Sequence, residues 1–492
     1  MLNVHRFVFQ FLILVLFSAA VSAQTSSSSP YSRYGIGDLQ FGGFTKNLGM
    51  GGISFGYRPS YNLNISNPAS YSSLQLTTFE TAVNMNQIQM KSMDKSQNTN
   101  NASLSYFAFG FPIKNKKWGA ALGLLPYSNV GYTINDQQIN ADGDAELHTY
   151  DGSGGLNQFF IGNSYSPFKN FSIGANASYL FGVLNQERKI EYPYFTSYFD
   201  TRVNEKTSVG SLYFNFGIQW VFDSLQTAPS DSIKRLDKKL STIHDSIEVI
   251  QKSLDKASPE QSTALHGSIN SLNEEYMRTD SIRKHVLHRK DKSDWSLTFG
   301  LVGSPETSLS ANYSRLTESY ILNAFDQVIV KDTVENTDRK TGTLKLPFNA
   351  GFGIMLKQGN RWLIGADYSI QSWKNYSIFG VSDSLADSWR ASLGAQFVPN
   401  DRAINSYWKN VQYRFGFYYE QTYLQLHGNQ LNEYGASIGL GLPIKRSAAM
   451  MHISAVVGKR GTVSSNLIEE NFIKLSLGFT LNDRWFVKQK FD

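Results

Sequence analysis

The sequence predicts an all-β fold, a transmembrane antiparallel β-barrel of about fourteen strands, an even number as closure requires. Three observations predict it. Apolar residues alternate with small or polar ones at period two from about Thr77 to Asn482. After the first 23 residues no stretch approaches the ~18 consecutive apolar residues of a membrane helix, so any insertion is by strands. Composition combines 14% aromatic residues and 39 Gly with only 17% charge and a mean hydropathy of −0.30. A wall that touches lipid on one face only gives that mixture.

The N-terminus reads as an export signal. His5 and Arg6 precede an apolar run from Phe7 to Ala20, and Val21-Ser22-Ala23 is a small-residue cleavage site. Residues 1–23 are therefore expected to be a signal peptide, with the mature chain in the cell outer membrane. Gln24–Pro30 is a Ser-rich leader. Tyr31–Leu76 is rich in Gly, Asn and Ser, shows little periodicity, and needs other parts of the protein to pack on.

Strand faces can be assigned by alternation. Leu212, Phe214, Phe216, Ile218 and Trp220 share one face; so do Ile364, Ala366, Tyr368 and Ile370, and so do Ile473, Leu475, Leu477 and Phe479. The opposite face is mainly Ser, Gly, Asn, Gln and Thr, as a crowded and partly hydrated lumen requires. Trp118, Trp295, Trp362, Trp389 and Trp408 lie at strand ends and suit an interfacial girdle. Lys114–Lys117, Ser166–Asn170 and Lys357–Arg361 read as short periplasmic turns, and Asn135–Gly155 and Leu316–Lys345 as long outer loops. The barrel is expected over 77–482, and 483–492 as a periplasmic tail.

Residues 230–290 break the period. Ile233, Leu236, Leu240, Ile243, Ile247, Ile250 and Leu254 form an apolar heptad seam. Ser258-Pro259-Glu260-Gln261 supplies an N-cap, a Pro at the first helical position and a capping-box partner. Leu265, Ile269, Leu272 and Tyr276 continue the seam on a second helix. The segment is an antiparallel helical hairpin whose first helix is roughly 40 Å long, expected in a periplasmic turn between the sixth and seventh strands.

Several chemistries find no support. The chain has no Cys, so disulfides, thiol catalysis and Cys-based metal sites are excluded. A net charge of +6 spread over 492 residues, without basic runs interleaved with aromatics, gives no nucleic-acid signal. No Ser-His-Asp arrangement, phosphate loop or His-Glu-x-x-His occurs. Asp142, Asp144 and Glu146 do not have Ca²⁺-loop spacing, and His244, His266, His285 and His288 in the hairpin lack metal-pair spacing. No enzyme, cofactor or metal is expected.

Three motifs in order resemble the FadL/TodX type of outer-membrane transporter over residues 31–482. Gly49-Met50-Gly51-Gly52 followed by Asn67-Pro68-Ala69 resembles the family's N-terminal hatch. Gly300–Pro305 resembles the strand with a Ser-Pro interruption. Leu346-Pro347, Asn360–Leu363 and Ala366-Asp367-Tyr368 resemble the eighth and ninth strands. The resemblance implies a 14-stranded barrel with residues 24–76 as leader and lumen-plugging hatch, and transport of long-chain fatty acids or other hydrophobic compounds. Gly49, Gly51, Gly52, Asn67, Pro68 and Ala69 are the hatch candidates it implies. Ser304 and Pro305 are candidates for a strand kink with a lateral exit, because Pro cannot donate to a ladder. The helical hairpin and the chain beyond Phe486 depart from the family pattern.

Asp367, Arg390, Arg414, Glu420 and Lys474 fall on lumen faces. They form either a site for a substrate carboxylate or a structural network of paired charges. Two functions follow. One is a channel for hydrophobic solutes, with outer-membrane lipid and a hydrophobic small molecule as partners. The other is a non-enzymatic accessory or scaffold subunit of an outer-membrane protein insertion or type 9 secretion complex, docking a protein partner through the 230–290 hairpin.

Overall fold

The computed structural model describes residues 29–484, except 41–42, 142, 193–197, 223–230, 255–257, 294, 324, 326, 402, 404–405 and 446. The signal peptide, the leader to Ser28, Asp142, Ser230, the tail from residue 485 and the His285 and His288 rings lie outside the described residues. The chain divides into two units, residues 1–220, 298–355 and 364–492 in one, and 221–297 with 356–363 in the other.

The first unit begins with a short strand, β1 (Asp38–Leu39), and one helical turn, α1 (Thr45–Leu48). The wall follows: β2 (Thr77–Lys91), β3 (Ser96–Lys114), β4 (Trp118–Ile139), β5 (Ala145–Phe168), β6 (Phe171–Glu191) and β7 (Asp200–Phe222). Then come β8 (Trp295–Ser304), β9 (Thr307–Leu322), β10 (Val328–Leu346), β11 (Asn349–Gln358), β12 (Trp362–Gln371) and the two-residue β13 (Ser377–Ile378). The wall ends with β14 (Ser388–Phe397), β15 (Gln412–Leu426), β16 (Asn429–Pro443), β17 (Met450–Arg460) and β18 (Glu469–Asp483). Neighbours pair antiparallel. The last strand closes on the first, from Asp483 opposite Thr77 to Glu469 opposite Lys91.

The closed wall has fourteen positions. Two of them are each built from two segments. β7 pairs with β9 through Asp200–Val209, while β8 carries the same position on and pairs with β11. Pro305 separates β8 from β9, and Pro347 separates β10 from β11; each lacks the N–H a ladder needs. Thr307 lies opposite Leu346, so the two interruptions stand side by side.

The outward residues form an apolar belt that includes Phe214, Ile218, Ile364, Ile370, Phe417, Ile473 and Leu477, all at least 39% exposed. Such a surface is stable only against lipid, and the closed wall leaves no backbone edge in the hydrocarbon. The protein is an outer-membrane β-barrel.

At the short-turn end, Lys116 and Asn170 take positive φ in the turns between β3 and β4 and between β5 and β6. At the other end the expectation of long loops is corrected. Asn135–Gly155 is the paired hairpin of β4 and β5, turning at Asn140–Asp144. Leu316–Lys345 is largely the paired hairpin of β9 and β10. In these two hairpins the strands keep their ladder partners to the turn, so their backbone N–H and C=O groups stay satisfied by each other. Ion pairs cross this extension from β6 to β10: Arg188–Glu205 at 3.4 Å, Arg315–Glu205 at 3.8 Å and Arg315–Glu335 at 3.3 Å.

The second unit contains two helices, α2 (Asp231–Leu254) and α3 (Pro259–Ser293), which pack against each other. Ile233, Leu240, Ile243 and Ile247 are buried, as a heptad seam requires. The Ser258 N–H donates to the Gln261 side chain at 3.1 Å, one arm of a capping box.

Candidate functional site: the filled lumen

Residues 29–40 and 43–76 pack against inward-facing residues of the wall along its height. At the short-turn end the backbone of Pro68 and Ala69 approaches Gly174 so closely that a Cβ there would lie 2.5 Å from the Pro68 carbonyl carbon. Asn67 caps a 3₁₀ turn, Pro68–Ser73, by accepting from the Ala69 N–H at 3.1 Å. Its amide donates to the Phe55 carbonyl at 2.8 Å and the Ile218 carbonyl at 3.2 Å. Ser164 donates to the Ala69 carbonyl at 2.7 Å, and Tyr71 to Asn176 at 3.0 Å. Burial of Tyr71 pushes its phenol well up, so it stays a neutral donor.

Halfway up, Gly49 and Gly51 lie against β14–β17. A Cβ on Gly49 would stand 3.0 Å from the Gly439 Cα. Gly51 and Gly52 take φ of +69° and +89°, which only Gly adopts without strain. Asp367 accepts the Ser54 N–H at 2.5 Å and the Phe55 N–H at 2.9 Å. Thr45 bonds to Ser476 at 2.7 Å. Lys46 donates to Asn62 at 3.0 Å, and Asn62 and the Leu63 N–H donate to Glu80 at 3.2 and 2.9 Å.

Near the outer rim Arg460 binds Asp38 at 2.8 Å and Glu470 at 2.6 Å, and Ser29 donates to Glu470 at 2.5 Å. Tyr31, its phenol pushed up to about 12 by burial, donates to the Ile468 carbonyl at 2.5 Å. Trp373 stacks on Tyr423 at 4.5 Å within an apolar cluster that also holds Tyr31 and Ile36.

The five lumen charges do not converge on one site. Asp367 holds hatch backbone. Arg414, 1% exposed, donates to Gln396 at 2.9 Å and shares a 3.2 Å contact with His452. Arg390 binds Glu420 at 3.0 Å and lies 3.9 Å from the Tyr418 ring centroid, and Lys474 stands 3.9 Å from Glu433. These last three candidates line one cavity of about 140 Å³. Arg390, Glu420 and Lys474 stand in ion pairs, whereas Asp367 is held by backbone N–H groups and Arg414 by Gln396 and His452, hydrogen bonds in place of an opposite charge. Sequence reasoning did not single out Glu80, Arg460, Glu470, His452 or Glu433. Their signal was a titratable residue on the inward phase of an alternating strand.

Ser304 and Pro305 stand at the interruption between β8 and β9. Ser304 is buried and accepts the Tyr213 hydroxyl at 2.8 Å. Behind the interruption lies a cavity of about 230 Å³, lined by apolar Phe55, Leu125 and Val302 and polar Asn215, Asn349 and Arg390. A separate seam opens elsewhere in the wall. β3 and β4 pair from Lys114–Trp118 up to Phe107–Leu124 and no further. A cleft of about 960 Å³ occupies the space above. Pro126, which cannot donate, sits just past the last pair. It was not among the kink candidates, though a Pro inside an alternating run was the available signal.

No curated protein matches the chain by sequence. Among solved structures it is similar to the Ralstonia pickettii toluene transporter TbuX, at 10% identity and TM-score 0.52, over 90% of this chain and 99% of that one. It is similar to a Pseudomonas aeruginosa FadL homologue at 10% identity and TM-score 0.51, over 91% and 99%. For the P. putida toluene transporter TodX the values are 11% and 0.50, over 91% and 99%. These likenesses establish the fold. The sequence assigns the family differently from the transporter resemblance: the BamG family model matches residues 4–258 and 283–492, and the chain belongs to the BamG family.

Proposed function

We propose that the protein is a non-enzymatic scaffold subunit of an outer-membrane assembly, such as a protein insertion complex. The observation that supports this is the filled lumen. Residues 29–40 and 43–76 are tied to the wall by buried and half-buried hydrogen bonds and ion pairs, among them Arg58–Ser172 at 2.5 Å, Tyr71–Asn176 at 3.0 Å and Arg460–Asp38 at 2.8 Å. Each buried pair broken singly leaves a desolvated group, at about 1–3 kcal/mol for a hydrogen bond and more for a charge. Opening such a lumen means breaking many at once. A shared fold with transporters does not carry a substrate across families.

The second reading is a channel for hydrophobic solutes, favoured by the cavity behind Pro305 and by a fold in common with hydrophobic-compound transporters. At about 230 Å³ the cavity is below the ~300–1,000 Å³ usual for ligand sites and is lined by several amides and a guanidinium. Long-chain fatty acids fit it poorly.

The test is gentle solubilisation of native membranes followed by size separation. The scaffold reading expects a stoichiometric protein partner that stays bound, and unchanged uptake of toluene and oleate when the gene is deleted in cells whose outer membrane keeps its normal porosity. A monodisperse barrel with bound lipid and no partner overturns it.

A further inference from the structure

We infer that the outer edge of β3, Ser96–Tyr106, is a strand-addition site for an extended segment of a partner protein. The inference rests on the scaffold reading and names its docking surface. Both strands of the opened seam continue past their last shared pair. β3 runs on beside β2 to Ser96, opposite Lys91, and β4 runs on beside β5 to Ile139, opposite Ala145. They simply cease to pair with each other. The cause is local. Pro126 has no N–H to donate, and each strand carries a bulge at the parting, at Ser105 in β3 and Tyr127 in β4.

The parting coincides with the upper limit of the lipid-facing belt. Leu104, 39% exposed, is the last large outward apolar residue of β3, and Leu124 that of β4 before the divergence. Above them β3 reads Ser-Gln-Asn-Thr-Asn-Asn-Ala-Ser. An open edge is excluded from hydrocarbon but is tolerated at the headgroup level and above.

The two vacated edges are treated differently. β5 occupies one edge of β4, and the protein's own N-terminal strap takes the other: Asp38 and Leu39 pair with Asn129 and Ser128. The Gln40 N–H donates to the Tyr127 carbonyl at 3.1 Å and the Ser29 N–H to the Gly131 carbonyl at 3.0 Å. This seam therefore already binds an extended chain through main-chain bonds. The facing edge of β3 has no ladder partner among the described residues.

A second open edge shows what protection looks like. The outer part of β10 pairs with β9 on one side and with β13 only at Leu344 and Lys345 on the other. It carries three register shifts, a positive φ at Arg339, and Lys331, Asp332, Glu335, Asp338 and Lys340. Charges and bulges are how sheets block unwanted pairing. From Ser96 to Leu104 the β3 edge has neither a charge, a Pro nor a bulge. Its backbone would supply the affinity and its Asn, Gln and Ser side chains the selectivity, which fits a neutral, polar strand rather than a basic or acidic one.

The test places a photo-crosslinking residue at Asn98 and at Asn100, and as controls at Glu335 and Thr341 of β10, in the full chain in native membranes. Strand addition expects both β3 positions to join one segment of one partner, at sites two residues apart, and the β10 positions to join none. Asn98→Pro and Thr99→Pro are made separately. Neighbouring residues turn their N–H groups to opposite edges, so one variant strikes the open edge while sparing the β2 ladder. That variant is expected to keep a heat-modifiable barrel and to lose partner yield by about tenfold, the equivalent of one or two hydrogen bonds. Adducts only with lipid or with this chain overturn the inference, as does a partner held equally well by both Pro variants. In those cases the scaffold reading stands if a partner still co-purifies. Absence of any partner from wild-type membranes removes both.

Discussion

Gly51 donates its backbone N–H to the Ser437 hydroxyl at 2.8 Å, which fixes a left-handed turn of the lumen segment directly on β16. A Cβ on Gly51 would lie 2.7 Å from the Leu393 carbonyl oxygen and 2.8 Å from that of Phe417. Gly51→Ala therefore meets both backbone strain and two rigid carbonyls. Gly428→Ala isolates the strain, because Gly428 has φ +77° with nothing within 4 Å of its added methyl. The control should cost about 1–2 kcal/mol and Gly51→Ala clearly more, read as the difference in thermal unfolding in detergent. Equal losses would mean that the lumen segment does not press on the wall at Gly51.

Arg390 and Glu420 give a test of what the lumen charges do. Glu420→Leu alone leaves the half-buried Arg390 guanidinium with Ser392 at 3.4 Å and the Tyr418 ring face in place of its carboxylate, at an expected cost of about 1.5–3 kcal/mol for a lost hydrogen bond to a charged group. The double variant Arg390→Met with Glu420→Leu should recover most of this, because a buried pair can be replaced by apolar residues of similar volume at little cost. Unfolding of the four members of the cycle measures it. A double variant as unstable as the single one would show that Arg390 has a task beyond pairing.

The fold was legible because its signal is dense and repeated. Ile473, Leu475 and Leu477 face outward as alternation predicts, and the heptad seam of α2 is buried as its spacing predicts. What escaped was set by partners far apart in sequence. Asp38 and Arg460 are 422 residues apart, and nothing local to either says that they meet. Outer loops were expected where β4 with β5 and β9 with β10 stay paired, because polar sequence above the membrane hides the apolar alternation by which strands are recognised. Pro305 drew attention because a family motif contains it, while Pro126, which ends the β3–β4 seam, carried the same chemical signal unaccompanied.

Leu477→Arg should lower the yield of folded barrel strongly, with a cost of roughly 2–4 kcal/mol for a cation facing mid-membrane lipid. The lumen-facing neighbour Ser476 is not a neutral comparison. It is 5% exposed and bonded to Thr45, so an Arg there would displace the lumen segment rather than enter water. Ile139, 76% exposed at the outer end of β4, is the proper control, and Ile139→Arg should fold as wild type. Heat-modifiable mobility after refolding into bilayers reads both. Equal yields would overturn the facing of β18.

The helical hairpin is expected to be dispensable for the barrel. Ile233, Leu240, Ile243 and Ile247 are buried, and the seam is satisfied within the pair of helices, which form a contact unit of their own with the adjoining strand ends. The BamG family model passes over residues 259–282, the first part of α3, so this part of the hairpin lies outside what the family model matches. A connection between neighbouring strands needs only a few residues. Replacing residues 230–290 with a short Gly-Asn turn should leave a heat-modifiable barrel in the outer membrane. If the hairpin is a second docking element, the deletion removes a protein partner while the crosslinks expected at Asn98 and Asn100 persist, because the β3 edge belongs to the other contact unit. A deletion that abolishes barrel assembly would make the hairpin structural. A deletion that leaves the full partner set would make it a tolerated insertion, of the kind exposed connections accept freely.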